Sequence, residues 1–234
     1  MAKYTPKRVL VVAAHPDDIE ISAGGTLALW ASEGAAITFL LCTNGRAGSN
    51  APETDLDELV VVRRDEQRRA AAILGVSDVR FLDRQDGTLT PDLELRKEIT
   101  KTIRELKAEV IMTFDPQMYF SDDRGYVNHP DHRAVGLGTI EACFPSAGCR
   151  PAFPELLADG YEPYDPSHLY MFGTNAANFW VDITEHMETK MAAIRVHASQ
   201  LDEVTVKSFT QMAQKNASAM NCDYAEKFRK VDLV

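Results

Sequence analysis

The chain has 234 residues, 45% of them hydrophobic and 26% charged, which is ordinary globular composition. Against 35 Asp and Glu it sets 25 Lys and Arg, a formal charge of −10 that repels phosphate backbones and anionic lipid, so nucleic acid and membrane surfaces are excluded as partners. No apolar run approaches the roughly 18 residues of a spanning helix. Met1–Lys7 leads directly into a strand-like run without a signal-peptide core. Cys42, Cys143, Cys149 and Cys222 have no CxxC spacing and read as reduced thiols of a cytoplasmic protein.

Arg8–Ala14, Ile37–Cys42 and Val110–Phe114 are apolar throughout rather than alternating, the pattern of strands covered on both faces in a parallel sheet. Helix-length segments separate them. Ala23–Ser32 is the first. Asp57–Leu74, stopped by Gly75, is the second, and Asp92–Lys107, with Leu95, Ile99, Ile103 and Leu106 on one face, is the third. A short strand near Val79–Asp83 lies between the second and third. This alternation predicts an α/β fold, a Rossmann-like, mostly parallel sheet flanked by helices, with residues 1–234 forming a single domain. Beyond it a helix is expected from Pro130 to about Cys143. Five prolines then fall within Pro145–Pro166, so Phe144–Ser167 is expected as a loop or insert. Strands are expected at His168–Gly173 and Phe179–Ile183, and helices at Thr184–Ser199 and about Asp202–Lys230.

In such sheets ligands bind beyond the carboxyl ends of the strands. After the first strand comes His15-Pro16-Asp17-Asp18-Ile19-Glu20, and after the Val110–Phe114 strand and a loop comes Asn128-His129-Pro130-Asp131-His132-Arg133. Adjacent acids in a turn commonly just cap the next helix. His15, however, stands three residues before Asp18, and His129 and His132 are also three apart at a helix start. If the two strands neighbour one another, His15, Asp18 and one histidine of the second pair form a two-histidine, one-carboxylate set with an open position. That is the ligand set of a catalytic zinc, and also of non-haem Fe(II).

The stretches AHPDDIEISAGGTLA, RRDEQRRAAAILGV, FLDRQDG and NHPDHRAVG, and more weakly KMAAIRVHASQ, resemble the LmbE-like (PIG-L type) metal-dependent deacetylases. That family removes acetyl groups from N-acetylglucosaminyl compounds on a Rossmann-like fold with one zinc. The resemblance implies zinc ligands His15, Asp18 and His132, with Fe2+ or another divalent metal as the alternative. It further implies Asp17 as general base, His129 as the residue that polarises the carbonyl or protonates the leaving group, and Asp131 as the acid orienting His129. Arg63 and Asp86 match substrate-binding positions. Ile19-Glu20 stands where a glutamate more often follows the Asp pair directly, and Val127 stands where some members carry a tyrosine.

The chemistry is coherent with this. An amide is a poor electrophile with a poor leaving group, so its hydrolysis needs a Lewis acid, a base for the water and a donor for the oxyanion. A cationic His129 held by Asp131 would be that donor. The expected substrate is an N-acetylated aminosugar or a conjugate of one, and a homo-oligomer is expected from the resemblance. Competing readings are a non-catalytic metabolite-binding relative, a zinc amidase for a non-sugar N-acyl substrate, and an Fe(II) oxygenase, which the α/β frame disfavours. His197 follows the stripe Met187, Met191, Ile194 and reads as core. Asn44 and Asp115 read equally as caps or pocket residues, and Ala47–Glu53 and Gln117–Val127 as loops setting specificity.

Overall fold

Strand β1 (Arg8–Ala13) is buried from its second residue on: Val9 to Ala13 are all 1% exposed or less. In this computed structural model, β1 is followed by α1 (Asp18–Ser32), β2 (Ala36–Thr43), α2 (Leu56–Ile73), β3 (Asp78–Arg84), α3 (Leu93–Leu106) and β4 (Val110–Phe114). The structure describes residues 5–122 and 125–233. Met1–Tyr4 of the N-terminal run, Asp123 and Arg124 of the Gln117–Val127 loop, and Val234 lie outside the described residues. A two-residue hairpin pair, β5 (Phe120–Ser121) and β6 (Tyr126–Val127), leads into α4 (Pro130–Glu141). Then come α5 (Pro154–Ala158), β7 (His168–Phe172), β8 (Phe179–Asp182), α6 (Met187–Arg195), α7 (Glu203–Ala217) and β9 (Ala225–Asp232).

The main sheet has seven strands in the order β3-β2-β1-β4-β7-β9-β8. The first five run parallel, and β9 pairs antiparallel with both β7 and β8. The order reverses between β1 and β4, which makes their carboxyl ends the topological switch point where such sheets bind ligands. Helix α4 is pressed onto β4 there, and Gly136 permits it: a Cβ at that position would collide with the Phe114 carbonyl oxygen.

Two expectations are corrected. Helix α1 begins at Asp18, five residues before the predicted start, so the acidic pair opens the helix itself. The predicted helix 202–230 is α7 followed by β9. Ala-Glu-Lys-Phe-Arg-Lys is a run of good helix formers, yet Ala225 and Phe228 are fully buried and the strand closes between β7 and β8.

The proline-rich segment is irregular apart from α5, and Phe144, extended at φ −142° and ψ 127°, breaks the helical path just after α4. Its backbone is gathered by Arg104 of α3, 1% exposed, which donates to the carbonyls of Ala147 (3.0 Å), Ser146 (2.9 Å) and Cys149 (2.9 Å). One guanidinium thus gathers carbonyls from across the segment, adding to the backbone N–H groups of Tyr164 and Ala152 that already reach Ala147 and Cys149. Replacing Arg104 by Met should lower the unfolding free energy by about 3 kcal/mol, through loss of charged hydrogen bonds. A urea midpoint unchanged from the parent would show that the segment does not depend on it.

Candidate active site

The two His-Pro-Asp motifs meet at the switch point. His15 leaves the end of β1 and Asp18 is the first residue of α1, while His129 caps α4 and His132 lies in its first turn. One nitrogen from each of His15, His129 and His132 lies within 4.8 Å of the others. The Asp18 carboxylate bridges two of them, with Oδ2 3.4 Å from His15 Nδ1 and Oδ1 3.1 Å from His132 Nε2. Burial alone would raise the Asp18 carboxyl, but His132 and His15 outweigh it and hold it well below the usual range.

Each of these two imidazoles has its other nitrogen occupied. His132 Nδ1 lies 3.1 Å from Asn128 Oδ1, and its ring stacks on Phe114 at 3.9 Å and 10°. Asn128, 1% exposed, is itself fixed by donating to the Met118 carbonyl. His15 Nε2 lies 3.0 Å from Asp86 Oδ1 and 3.3 Å from Asp131 Oδ2. This is the pattern in which outer carboxylate or amide partners set the tautomer and aim the remaining nitrogen at a metal.

Asp17 is directed elsewhere. Its contacts are Arg63 Nη2, 3.5 Å from Oδ2, and Gln67 Oε1, which accepts its backbone N–H at 3.1 Å. Its backbone is strained, φ 100° and ψ −31°, a conformation that costs a non-glycine residue about 1–3 kcal/mol and persists only where its surroundings enforce it. Burial and the neighbouring Asp18 charge push the Asp17 carboxyl up to about 6, against the opposing pull of Arg63. A carboxylate tuned towards neutrality suits proton transfer.

At three residues the structure shows contacts that the sequence alone did not suggest. The Asp131 carboxylate does not meet His129: it accepts from Gly87 N (2.7 Å) and Leu89 N (3.1 Å) and faces His15. What reaches His129 is the Asp131 backbone N–H, donated to Nδ1 at 3.2 Å. That bond assigns the proton of a neutral ring to Nε2. Burial, together with His15 and His132, also lowers the His129 pKa, which favours the neutral ring. Asp86 is 9% exposed and turned onto His15, with Oδ2 accepting from Ala47 N. Arg63, 4% exposed, donates to the Gly45 carbonyl (2.7 Å) and the Pro16 carbonyl (2.9 Å), bracing the turn that carries Asp17. His197 is buried, as expected of core, but its ring meets the Glu20 carboxylate rather than only aliphatic neighbours.

The charge balance fits a bound cation. Asp18, Asp86 and Asp131 all face His15, with Asp17 alongside, and Arg63 is the one guanidinium contacting them among the described residues. Burial alone would lower the His15 imidazole, but these carboxylates raise it well above its ordinary value. A buried excess of carboxylate beside imidazoles held in this way is a donor set that fits a divalent metal.

The family described as PIG-L, GlcNAc-PI de-N-acetylase, matches residues 10–143. Diacetylchitobiose deacetylase of Thermococcus kodakarensis is 36% identical over 199 residues, covering 84% of this chain and 71% of that protein. N,N'-diacetylchitobiose deacetylase from Pyrococcus horikoshii, solved with its inhibitor, superposes with a TM-score of 0.89 at 30% identity over 97% of this chain and 84% of that one. A 4-carboxy-2-hydroxymuconate hydratase from Pseudomonas putida shares the fold at a TM-score of 0.79 and 26% identity, over 96% of each chain. The fold therefore hosts more than one reaction, and the site must decide among them. With the matched segment running from β1 to the end of α4 and carrying both His-Pro-Asp motifs, this chain belongs to the PIG-L family.

Proposed function

We propose that this chain is a zinc-dependent hydrolase that removes the N-acetyl group from a glucosamine-containing small molecule. The observation that carries the reading is the division of labour between adjacent aspartates: Asp18 touches His15 and His132, while Asp17, raised to about 6, touches neither and faces Arg63. PIG-L deacetylases are metal-dependent. His15 Nδ1, Asp18 and His132 Nε2 would hold the zinc, which when bound supplies a Lewis acid for the acetyl carbonyl and makes water acidic enough to attack near neutral pH.

The chain's own groups do the rest. Asp17 takes the proton of the attacking water on its carboxylate. His129 donates its Nε2–H to the oxygen on which negative charge develops, as a preformed dipole needing no reorganisation. Protonated Asp17 then returns its proton to the amine nitrogen as the C–N bond breaks, releasing acetate and a free amino sugar. A non-catalytic binder would have no need of a raised carboxyl beside the ligand set. The four cysteines are unpaired, in keeping with a cytoplasmic site of action. No helix among the described residues is long and apolar enough to cross a membrane.

The test is acetate release by the zinc-reloaded protein from diacetylchitobiose, N-acetylglucosamine and N-acetylglucosaminyl inositol and malate conjugates. Release that disappears on chelation and returns with zinc is expected. Tight stoichiometric metal with hydration of an unsaturated acid and no acetate would move the chain to the hydratase reading. Asn128→Ala should weaken zinc binding 10–100-fold by freeing His132 to rotate and change tautomer; equal affinity in a chelator competition would remove Asn128 from the site.

A further inference from the structure

We propose that Gln67 is a positioning residue for the general base, acting through the backbone of Asp17. The inference rests on the reading of Asp17 as base. Three observations carry it. First, Asp17 has φ 100°, a conformation an aspartate does not keep unaided, and its side chain makes no cap for α1. Second, its N–H donates to Gln67 Oε1, and Gln67 is fully buried on α2. Third, the direction of the Gln67 amide is dictated from behind. Its Nε2 donates to Glu20 Oε1 at 2.7 Å, and the other oxygen of Glu20 lies 3.2 Å from His197 Nε2. Glu20 and His197 are both fully buried, and His197 Nδ1 has no hydrogen-bond partner, so Nε2 is the nitrogen tied down.

The chain His197–Glu20–Gln67–Asp17 therefore has one arrangement that satisfies it. Glu20 accepts only, so Gln67 must turn its NH2 towards it and its oxygen towards Asp17. Without that acceptor, the Asp17 peptide is released to relax to negative φ, and the carboxylate swings with it. A displacement of about 1 Å at a base is enough to cost on the order of 100-fold in rate. Arg63 braces the preceding carbonyl from the other side, so the turn is gripped at Pro16 O and Asp17 N together. The metal ligands are attached to neither Gln67 nor His197, so their loading should be insensitive to this chain.

The experiment compares Gln67→Met, which fills the space without an acceptor, with the reciprocal double variant E20Q/Q67E. The double variant exchanges donor and acceptor between the two side chains and keeps an oxygen for the Asp17 N–H. With diacetylchitobiose as probe, Gln67→Met is expected to lower kcat 10–100-fold with KM and zinc content unchanged. The double variant should recover most of that loss, and a crystal structure of Gln67→Met should show Asp17 outside the positive-φ range. Unchanged kcat, or an Asp17 φ still near 100°, overturns the proposal. So does a loss that tracks the folded fraction and is not rescued. Asp17→Asn run in parallel separates the two ideas: if it retains turnover the base assignment has failed, and if it is inactive while Gln67→Met is normal only the positioning inference has. Should no turnover be measurable with this probe, the φ of Asp17 in Gln67→Met still decides.

Discussion

Asp17→Asn should lower turnover by about 10³-fold, in the range that removal of a general base costs, with zinc content unchanged and KM within a few-fold. The substitution isolates the chemistry unusually well. Asparagine keeps the size of the side chain and an oxygen for Arg63, and it tolerates positive φ better than most residues, so the strained turn survives. What is lost is the capacity to take a proton. A second consequence follows in the metal-stripped protein. The Asp17 carboxyl is raised to about 6 in the folded state, so the folded chain holds that proton more tightly than the unfolded chain does. The stability linked to it is full below the unfolded value near 4 and is lost as pH rises through about 6. Asparagine has no proton to release, so the variant should match the parent at low pH, melt progressively higher than it as pH rises from about 4 to about 6, and keep that margin above pH 6. Loss of zinc in the variant would mean that Asp17 and Asp18 have exchanged roles. Undiminished turnover would end the case for Asp17 as base.

The elements that built the sheet were legible because they are apolar without interruption. Val9–Ala13 and Val110–Phe114 have one physical explanation, burial on both faces, and both are fully buried in the middle of a parallel sheet. The residues of the site were legible for a different reason: side chains of unusual chemistry came in short, spaced groups at strand ends. Their partners were not. Asn128 is adjacent to His129 in sequence, but that its amide would fix His132 depends on the first turn of α4 folding back over it. Gln67 sits in a charged helical run whose exposed face hides the one buried amide. Asp131 illustrates the limit most clearly. A carboxylate next to a histidine suggests a dyad, yet two backbone N–H groups from the Gly87–Leu89 turn, more than forty residues away, take the carboxylate and leave His129 only the peptide N–H. Nothing local in the sequence encodes that competition.

Strand β9 was missed because its charges resemble those of a solvated helix, and the same charges explain why it matters. Glu226 is 2% exposed and accepts from Gly25 N (2.9 Å) and Thr26 N (2.8 Å) in the middle of α1, and from Lys190 Nζ of α6 at 2.5 Å. Lys190, 1% exposed, also donates to the Ile21 carbonyl. The ion pair thus inserts into the hydrogen-bond ladder of α1 and joins α1, α6 and β9. Glu226→Ala should cost about 3–5 kcal/mol, because it strands a buried ammonium and two helix N–H groups at once. The loss should appear as a lower urea midpoint with an unchanged m-value. Lys190→Met alone leaves Glu226 its two backbone donors and should cost less. Combining Lys190→Met with Glu226→Gln should recover part of the loss, since the amide oxygen still accepts from α1 while no charge remains to be compensated. A single variant Glu226→Ala within about 1 kcal/mol of the parent would show that water replaces the carboxylate and that α1 does not lean on β9. The expected result is otherwise, and it bears on the site: the helix so anchored is the one whose first residue is Asp18.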